Sequence, residues 1–267
     1  MGTNLGQSSS TKNQLSVVNF NSRNLASVYI NKNEQKKAKQ IKRFEDWVIK
    51  SSPDVFLLQE TATYRTKRIL ELMKQPHIYH PQGKSVAIIS KFPIINSGNI
   101  DFGNRSHLAV WTDIKISKEK ILRFYSLHLK SSNLNQNAID AVVAGKVKER
   151  ETWSGIRELI RDYKNTALYR ADQADEIIDH LKNSPYPVVV GGDFNEPPTS
   201  YVYYQFNQYL KDAFREAGAG LGSTYAGKIP FLKIDYLFHD PHLQTVSHLI
   251  ERVPFSDHYP ARTVLSW

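Results

Sequence analysis

The stretch that most limits what this chain can become is Pro187-Val188-Val189-Val190-Gly191-Gly192-Asp193-Phe194-Asn195-Glu196-Pro197-Pro198. Three β-branched residues between a proline and two glycines predict a short strand buried on both faces. The glycines predict a tight bend where the strand stops. Asp193 and Asn195 are one residue apart, so in extended chain both side chains point the same way. A carboxylate able to take a proton then stands beside an amide, which suits holding a water against a substrate. The same residue types also build ordinary turns, and this stretch is compatible with both readings.

The remaining chain supplies layers around that strand. Leu15-Ser16-Val17-Val18-Asn19-Phe20 alternates into a first strand that runs out into Asn21. Residues 33–51 read as an amphipathic helix, with Ile41, Phe44 and Val48 on one face and Trp47 alongside. Lys36, Lys37, Lys39, Lys42 and Arg43 form its solvated side. Residues 54–60 are a continuous apolar strand that ends abruptly in an acid and feeds a helix over 62–73. Buried strands alternating with helices predict a layered α/β architecture. Four runs at 85–91, 94–100, 107–116 and 121–130, punctuated by Gly83, Pro93, Gly98 and Gly103, read as an antiparallel meander. A polar linker at 131–137 precedes a helical region. Ile156, Leu159, Ile160 and Tyr163 mark one helix there, and Ala174, Ile177, Ile178 and Leu181 a second. Residues 201–217 read as short helical turns and 218–222 as a mobile loop. Strands return at 233–238, 243–250 and 262–265. No repeat or composition shift divides the chain, so residues 15–267 read as one domain behind a polar, disordered leader at 1–14.

Composition narrows the chemistry. With 40% apolar and 11% aromatic residues, the chain has ample material for a core. No apolar run approaches the roughly 20 residues that cross a bilayer, and the polar start is not a signal peptide. The absence of cysteine excludes disulfides, thiolate metal sites and cysteine nucleophiles together. Thirty-five basic against 26 acidic residues give a net charge of +9, which favours an anionic partner such as nucleic acid, a phosphorylated metabolite or a lipid headgroup.

Several predicted strands end in polar groups: Asn21, Glu60, His128, Asp193 with Asn195, Asp235, and the pair Asp257-His258. Ligands of open sheets bind beyond strand ends, where loops gather. Each group also has an ordinary structural explanation. Glu60 could be a solvated residue at the positive end of a helix, and Asp257-His258 before a proline could be a turn. Asn21 and His128 are weak signals singly, and Asn24, Glu196 and Asp240 read as turn residues. Asp235, between Ile234 and Tyr236, is different, because an acid inside a buried strand must be paired or coordinated.

Taken in order, Asn21, Gln59-Glu60, Ser126-Leu127-His128, Gly192-Asp193-Phe194-Asn195, Ile234-Asp235-Tyr236 and Ser256-Asp257-His258-Tyr259-Pro260 resemble the endonuclease/exonuclease/phosphatase superfamily. That group includes deoxyribonuclease-I-like nucleases, abasic-site endonucleases, inositol polyphosphate 5-phosphatases and sphingomyelinases. The resemblance spans residues 15–267 and rests on the ordered set rather than on any one motif. It implies a four-layered α/β/β/α sandwich of two packed mixed, mainly antiparallel sheets, with a site where the sheets meet. It also implies a Mg²⁺ ion, with Mn²⁺ as a substitute, on Glu60 with Asn21 beside it; Asp257 would be a second carboxylate, direct or through water. Asp193, oriented by Asn195, would align and deprotonate the attacking water. His258 would contact a phosphate oxygen with Asp235 fixing its tautomer, and His128 would be a second phosphate contact or the acid to the leaving oxygen.

The sequence departs from two branches of that group. Abasic-site endonucleases carry a tyrosine where this chain has its Ser-x-His strand, and the 5-phosphatases carry a Cys-Asp-Arg motif that a cysteine-free chain cannot. What remains is the deoxyribonuclease-like and sphingomyelinase-like part, with bacterial members of unassigned substrate. The expected activity is a metal-dependent phosphodiesterase or endonuclease, with a phosphomonoesterase or lipid phosphodiesterase as alternative. A silent module that binds phosphate or nucleic acid is the contrasting reading, and the intact residue set weighs against it. In some bacterial relatives the domain follows membrane-spanning helices; on that reading this chain is a trimmed soluble domain.

Overall fold

The structure, a computed structural model, describes residues 13–74, 77–103, 107–132, 150–227 and 229–267. Residues 1–12 of the expected leader and 133–137 of the expected linker lie outside the described residues. The first half of the chain forms β1 (Gln14–Asn21), α1 (Ala26–Tyr29), α2 (Glu34–Ser51), β2 (Val55–Gln59), α3 (Thr63–Met73), β3 (His77–Tyr79), β4 (Ala87–Ser90), β5 (Ile94–Asp101), β6 (Leu108–Lys115) and β7 (Ile121–His128). Then follow α4 (Arg150–Lys182), β8 (Val188–Asp193), α5 (Tyr201–Tyr209), β9 (Lys211–Asp212), α6 (Ala213–Ala217), β10 (Asp235–His239), β11 (Gln244–Ile250) and β12 (Ala261–Ser266).

The strands form two six-stranded sheets, ordered β11-β12-β1-β2-β4-β3 and β5-β6-β7-β8-β10-β9. Each has one parallel pair near its centre, β1 with β2 and β7 with β8, and is otherwise antiparallel. Three apolar clusters separate four layers. Phe44, Val48, Ile69 and Met73 of α2 and α3 pack on Val18, Phe20, Phe56 and Leu58 of the first sheet. Val17, Val55 and Leu57 meet Phe124, Val189 and Leu237 between the sheets. Tyr125, Leu127, Val190 and Phe238 meet Ala174, Ile177, Ile178 and Leu181 of α4 and Phe206 of α5. The arrangement is the α/β/β/α sandwich that the family resemblance implies, and it realises the layered α/β architecture read from the residue pattern.

The two-residue strand period sets the position of the site. Odd-numbered positions of β1, β2 and β8 and even-numbered positions of β7 face the seam between the sheets. Along that face each strand begins apolar and turns polar: Val17, Asn19, Asn21; Val55, Leu57, Gln59; Phe124, Ser126, His128; Val189, Gly191, Asp193. Because β1‖β2 and β7‖β8 are parallel, all four polar ends lie at one end of the sandwich. There the seam is stitched by side chains. Gln59 Nε2 donates to Ser126 Oγ at 2.8 Å and to Asn19 Oδ1 at 2.9 Å, and Asn19 Nδ2 donates to the Gly192 carbonyl at 3.3 Å.

Three local expectations are revised. Gly191 and Gly192 do not bend the chain; both lie inside β8. A Cβ on Gly191 would lie 2.5 Å from Leu57 Cδ1, and one on Gly192 2.4 Å from the Leu127 carbonyl oxygen, so glycine here permits close approach. The four-strand meander is divided between the sheets: β4 pairs with β2 and β3, and only β5, β6 and β7 form a meander. The reason is burial. All of β4 is buried, which requires cover on both faces, whereas β5 is largely exposed and runs at a sheet edge. The two expected helices are one continuous helix, α4, of 33 residues. No glycine or proline lies between Tyr163 and Ala174 to break it. Its C-terminal part carries the packing face, while Ile160 and Tyr163 remain 63% and 39% exposed.

Candidate active site

The parallel pair of each sheet delivers its polar residues to the same spot. Asn21 closes β1 opposite Gln59, and His128 closes β7 opposite Asp193. β10 runs antiparallel to β8, so Asp235 at its start also pairs with Asp193. His258 sits on the loop before β12, joined by an isolated bridge to Tyr225.

Asn21, fully buried, links the two sheets. Its Nδ2 donates at 2.9 Å both to Glu60 Oε1 and to Asp193 Oδ2, while its Oδ1 accepts from the Arg23 backbone at 3.1 Å. The expected metal ligand thus presents its nitrogen, not its oxygen, to the two carboxylates. Glu60 follows β2 at φ 46, and its carbonyl accepts from Asn24 N at 2.5 Å and Ser22 Oγ at 3.0 Å. Arg23, Asn24 and Leu25 also have positive φ, and this tight turn swings Arg23 onto Asp257, Nη1 to Oδ2 at 2.8 Å. Asp257 is therefore held by a cation at the rim, outside the two compact clusters.

Those clusters share Asp193. Glu60, His128 and Asp193 form one, and Asp193, Asp235 and His258 the other, each with its ligand atoms within 4.8 Å. His128 Nε2 lies 3.6 Å from Glu60 Oε1 and 3.9 Å from Asp193 Oδ2. His258 Nδ1 is 2.8 Å from Asp235 Oδ2, which leaves Nε2 facing Asp193 Oδ2 at 3.7 Å. Burial opposes charge on His258, but the Asp235 and Asp193 carboxylates outweigh it and push the imidazole up to about 10, so it is a cation at neutral pH. Burial raises Asp193, against the pull of His258, which makes it a stronger base than a solvated carboxylate. Among the described residues, Asp235 Oδ1 is buried without a hydrogen-bond partner.

Asn195 supports Asp193 differently from the extended-chain expectation. Its φ is 52, so the two side chains do not alternate along a strand. Its backbone N–H donates to Asp193 Oδ1 at 2.9 Å, and its Nδ2 donates to the Leu129 carbonyl at 3.2 Å. Asn195 thus ties the Asp193 loop to the segment after His128.

The site rests in part on residues that the sequence does not single out. Glu196, read above as a turn residue, is buried and accepts from Arg170 Nε at 2.7 Å and Tyr163 Oη at 2.7 Å. Fully buried Arg170 also donates from Nη1 to the Lys130 carbonyl at 2.8 Å, and Gln173 Oε1 accepts from Lys130 N at 2.9 Å. One face of α4 therefore grips both sides of the Lys130 backbone, two residues beyond His128. Their Arg-x-x-Gln spacing was the available signal, since i and i+3 share a helix face. Nearby, burial with His128 and Lys130 alongside pushes His107 down to about 4.

The profile of the endonuclease/exonuclease/phosphatase family matches residues 18–258. The chain belongs to that family. Its members' fold recurs in solved structures: a family protein from Bacteroides thetaiotaomicron has a TM-score of 0.69 at 16% identity over 95% of both chains. The mannosyl-6-phosphatase Bt3783 of the same organism has a TM-score of 0.68 at 16% identity, over 95% of this chain and 100% of that one. TDP2 from Caenorhabditis elegans has a TM-score of 0.65 at 20% identity, over 95% of this chain and 75% of that one. No curated protein matches the chain in sequence. The family assignment agrees with a divalent-metal hydrolase fold, and the acid and imidazole clusters are of a kind that could hold such an ion. Among the described residues, no helix is long and apolar enough to cross a membrane.

Proposed function

We propose that the chain hydrolyses phosphate esters with the help of Mg²⁺, for which Mn²⁺ can substitute. The observation that carries this reading is the pair of clusters sharing Asp193, one with the half-open Glu60 carboxylate and one with a carboxylate-held imidazolium. The donor set fits the ion: Mg²⁺ prefers oxygen, takes one or two carboxylates and keeps several waters. Glu60, with a side chain 37% exposed, offers such a ligand. Asn21 holds that carboxylate in place, and Asp257 can join directly or through water if Arg23 gives way. Bound there, the ion would neutralise charge developing on a phosphate oxygen.

The chain's own groups supply the rest. Asp193, locked by Asn21 and the Asn195 N–H, aligns a water and takes its proton as the water oxygen attacks phosphorus. His258, kept cationic by Asp235, hydrogen-bonds a phosphate oxygen from Nε2. His128 contacts the phosphate or gives a proton to the departing alcohol oxygen. Net charge +9 favours a polyanion, the nuclease reading, whereas the likeness to a mannosyl-6-phosphatase supports a small phosphomonoester.

The test is hydrolysis by the purified chain, with Mg²⁺ or with EDTA, of plasmid DNA, single-stranded RNA, bis(p-nitrophenyl) phosphate, hexose phosphates and sphingomyelin. Turnover that EDTA abolishes and His258→Ala suppresses is the expected result. Turnover that survives EDTA, or none with any ester, would overturn the reading.

A further inference from the structure

A cleft of about 510 Å³ opens beside the catalytic centre, a size typical of small-molecule sites. It is lined by Phe102, His107 and Lys130 and by Tyr169, Asp172, Gln173 and Glu176 of α4. Those four helix residues are spaced i, i+3, i+4 and i+7 and so share one face. The cleft borders the catalytic centre: the His107 and His128 rings are 5.3 Å apart, and Lys130 lies two residues past His128. The Arg170 and Gln173 grip on the Lys130 backbone fixes this border.

The lining has a mixed hydrogen-bonding character. His107 Nε2 accepts from Ser131 N at 3.3 Å, which puts its proton on Nδ1 as a donor. Gln173 spends its oxygen on Lys130 N, leaving its amide nitrogen to donate, and Lys130 adds an ammonium. Asp172 and Glu176 are pure acceptors, and neither has an ion-pair partner among the described residues. Phe102 and the Tyr169 ring, a residue 65% exposed, add flat apolar faces. A hydroxyl both donates and accepts, so a polyhydroxylated ring can use both kinds of partner and lay its C–H face on an aromatic ring. A phosphate chain only accepts, and two carboxylates facing it would repel it. An organic cation would suit the acids and rings but would meet Lys130.

We infer that this cleft receives the alcohol part of the substrate, and that this part is a polyhydroxylated group such as a hexose or cyclitol. The inference rests on the hydrolase reading and selects sugar or cyclitol phosphates within it.

The test uses Asp172→Ala/Glu176→Ala, alone for kinetics and combined with Asp193→Asn for binding without turnover. For hexose 6-phosphates and an inositol monophosphate, KM rises at least tenfold, since a hydrogen bond to a charged group contributes roughly that factor. For p-nitrophenyl phosphate, which lacks the hydroxyls, kcat/KM is unchanged. Calorimetry on the Asp193→Asn background, with Mg²⁺, shows hexose 6-phosphate binding that the cleft substitutions weaken. Equal effects on both ester types, unchanged KM, or failure of every polyol phosphate to bind would overturn the inference. So would DNA as the preferred ester, with turnover improved by removing the two acids. Binding that depends on the cleft without hydrolysis of any ester would keep the subsite and refute the hydrolase reading instead.

Discussion

The two halves of the site differ in their access to water. On one side, the side chains of Glu60 and Asp257 are 37% and 24% exposed and Arg23 is 58% exposed. On the other, the side chains of Asp193, Asp235 and His258 are 2%, 2% and 7% exposed. A hydrated cation needs room for its waters, so the open half suits metal exchange. Charges act on one another more strongly where water is excluded, so the closed half suits acid–base work. Asn21 spans the two, with one hydrogen bond to each. On the proposed mechanism their separation is a division of labour that substitution can test.

The largest expected effect is in the closed half. Asp193→Asn removes the proposed base and lowers kcat by about 10²–10⁴-fold, while the Mg²⁺ concentration for half-maximal activity stays near that of wild type; a matching loss of metal affinity would break the comparison. Glu60→Gln should do the reverse. It raises half-saturating Mg²⁺ by about 10–100-fold, on the scale seen when metal-site support is lost, and activity recovers as Mg²⁺ is added in a titration.

Asp235→Asn addresses the proton side alone. It takes from His258 the carboxylate that most raises it, so the imidazole titration, followed by NMR, falls from about 10 towards the ordinary value near 6.5. The sign for stability follows. A folded-state value raised above the unfolded one contributes stability that is fully present below about pH 6.5 and is lost as pH rises through about 10. Melting temperature between those pH values should therefore decline in the wild type and flatten in Asp235→Asn. The smallest effect belongs to the rim: Arg23→Ala removes an exposed ion pair worth about 0–1 kcal/mol. It frees Asp257 and should lower half-saturating Mg²⁺ by only a few-fold, with kcat unchanged.

Much of this site is written in local pattern. A polar residue that ends an apolar strand declares itself, which is how Asn21, Glu60, His128 and Asp193 are found. Asp235 is legible because a buried acid requires a partner, and His258 is that partner. What is not local stays hidden. Gly191 has the composition of a turn, and only the Leu57 side chain from the other sheet explains it. Strand 87–90 looks like the first member of a meander because pairing across sheets is a matter of burial on both faces, not of spacing. Glu196 looks like a turn residue because its partner Arg170 is 26 residues away, in the stretch between the two expected helices. The hold of Arg23 on Asp257 joins residues 234 apart.

The pairing of β1 with β12 has a consequence for how the site comes into being. The first strand of the described chain lies between β2, which follows it closely, and β12, which follows every other strand. Asp257 and His258 sit just ahead of β12 in the chain. During synthesis, Glu60, His128, Asp193 and Asp235 would all leave the ribosome before the imidazolium and the strand that seats it. A nascent chain would therefore carry a half-built centre, and the proposed hydrolysis could start only once the late strand closes beside the early one.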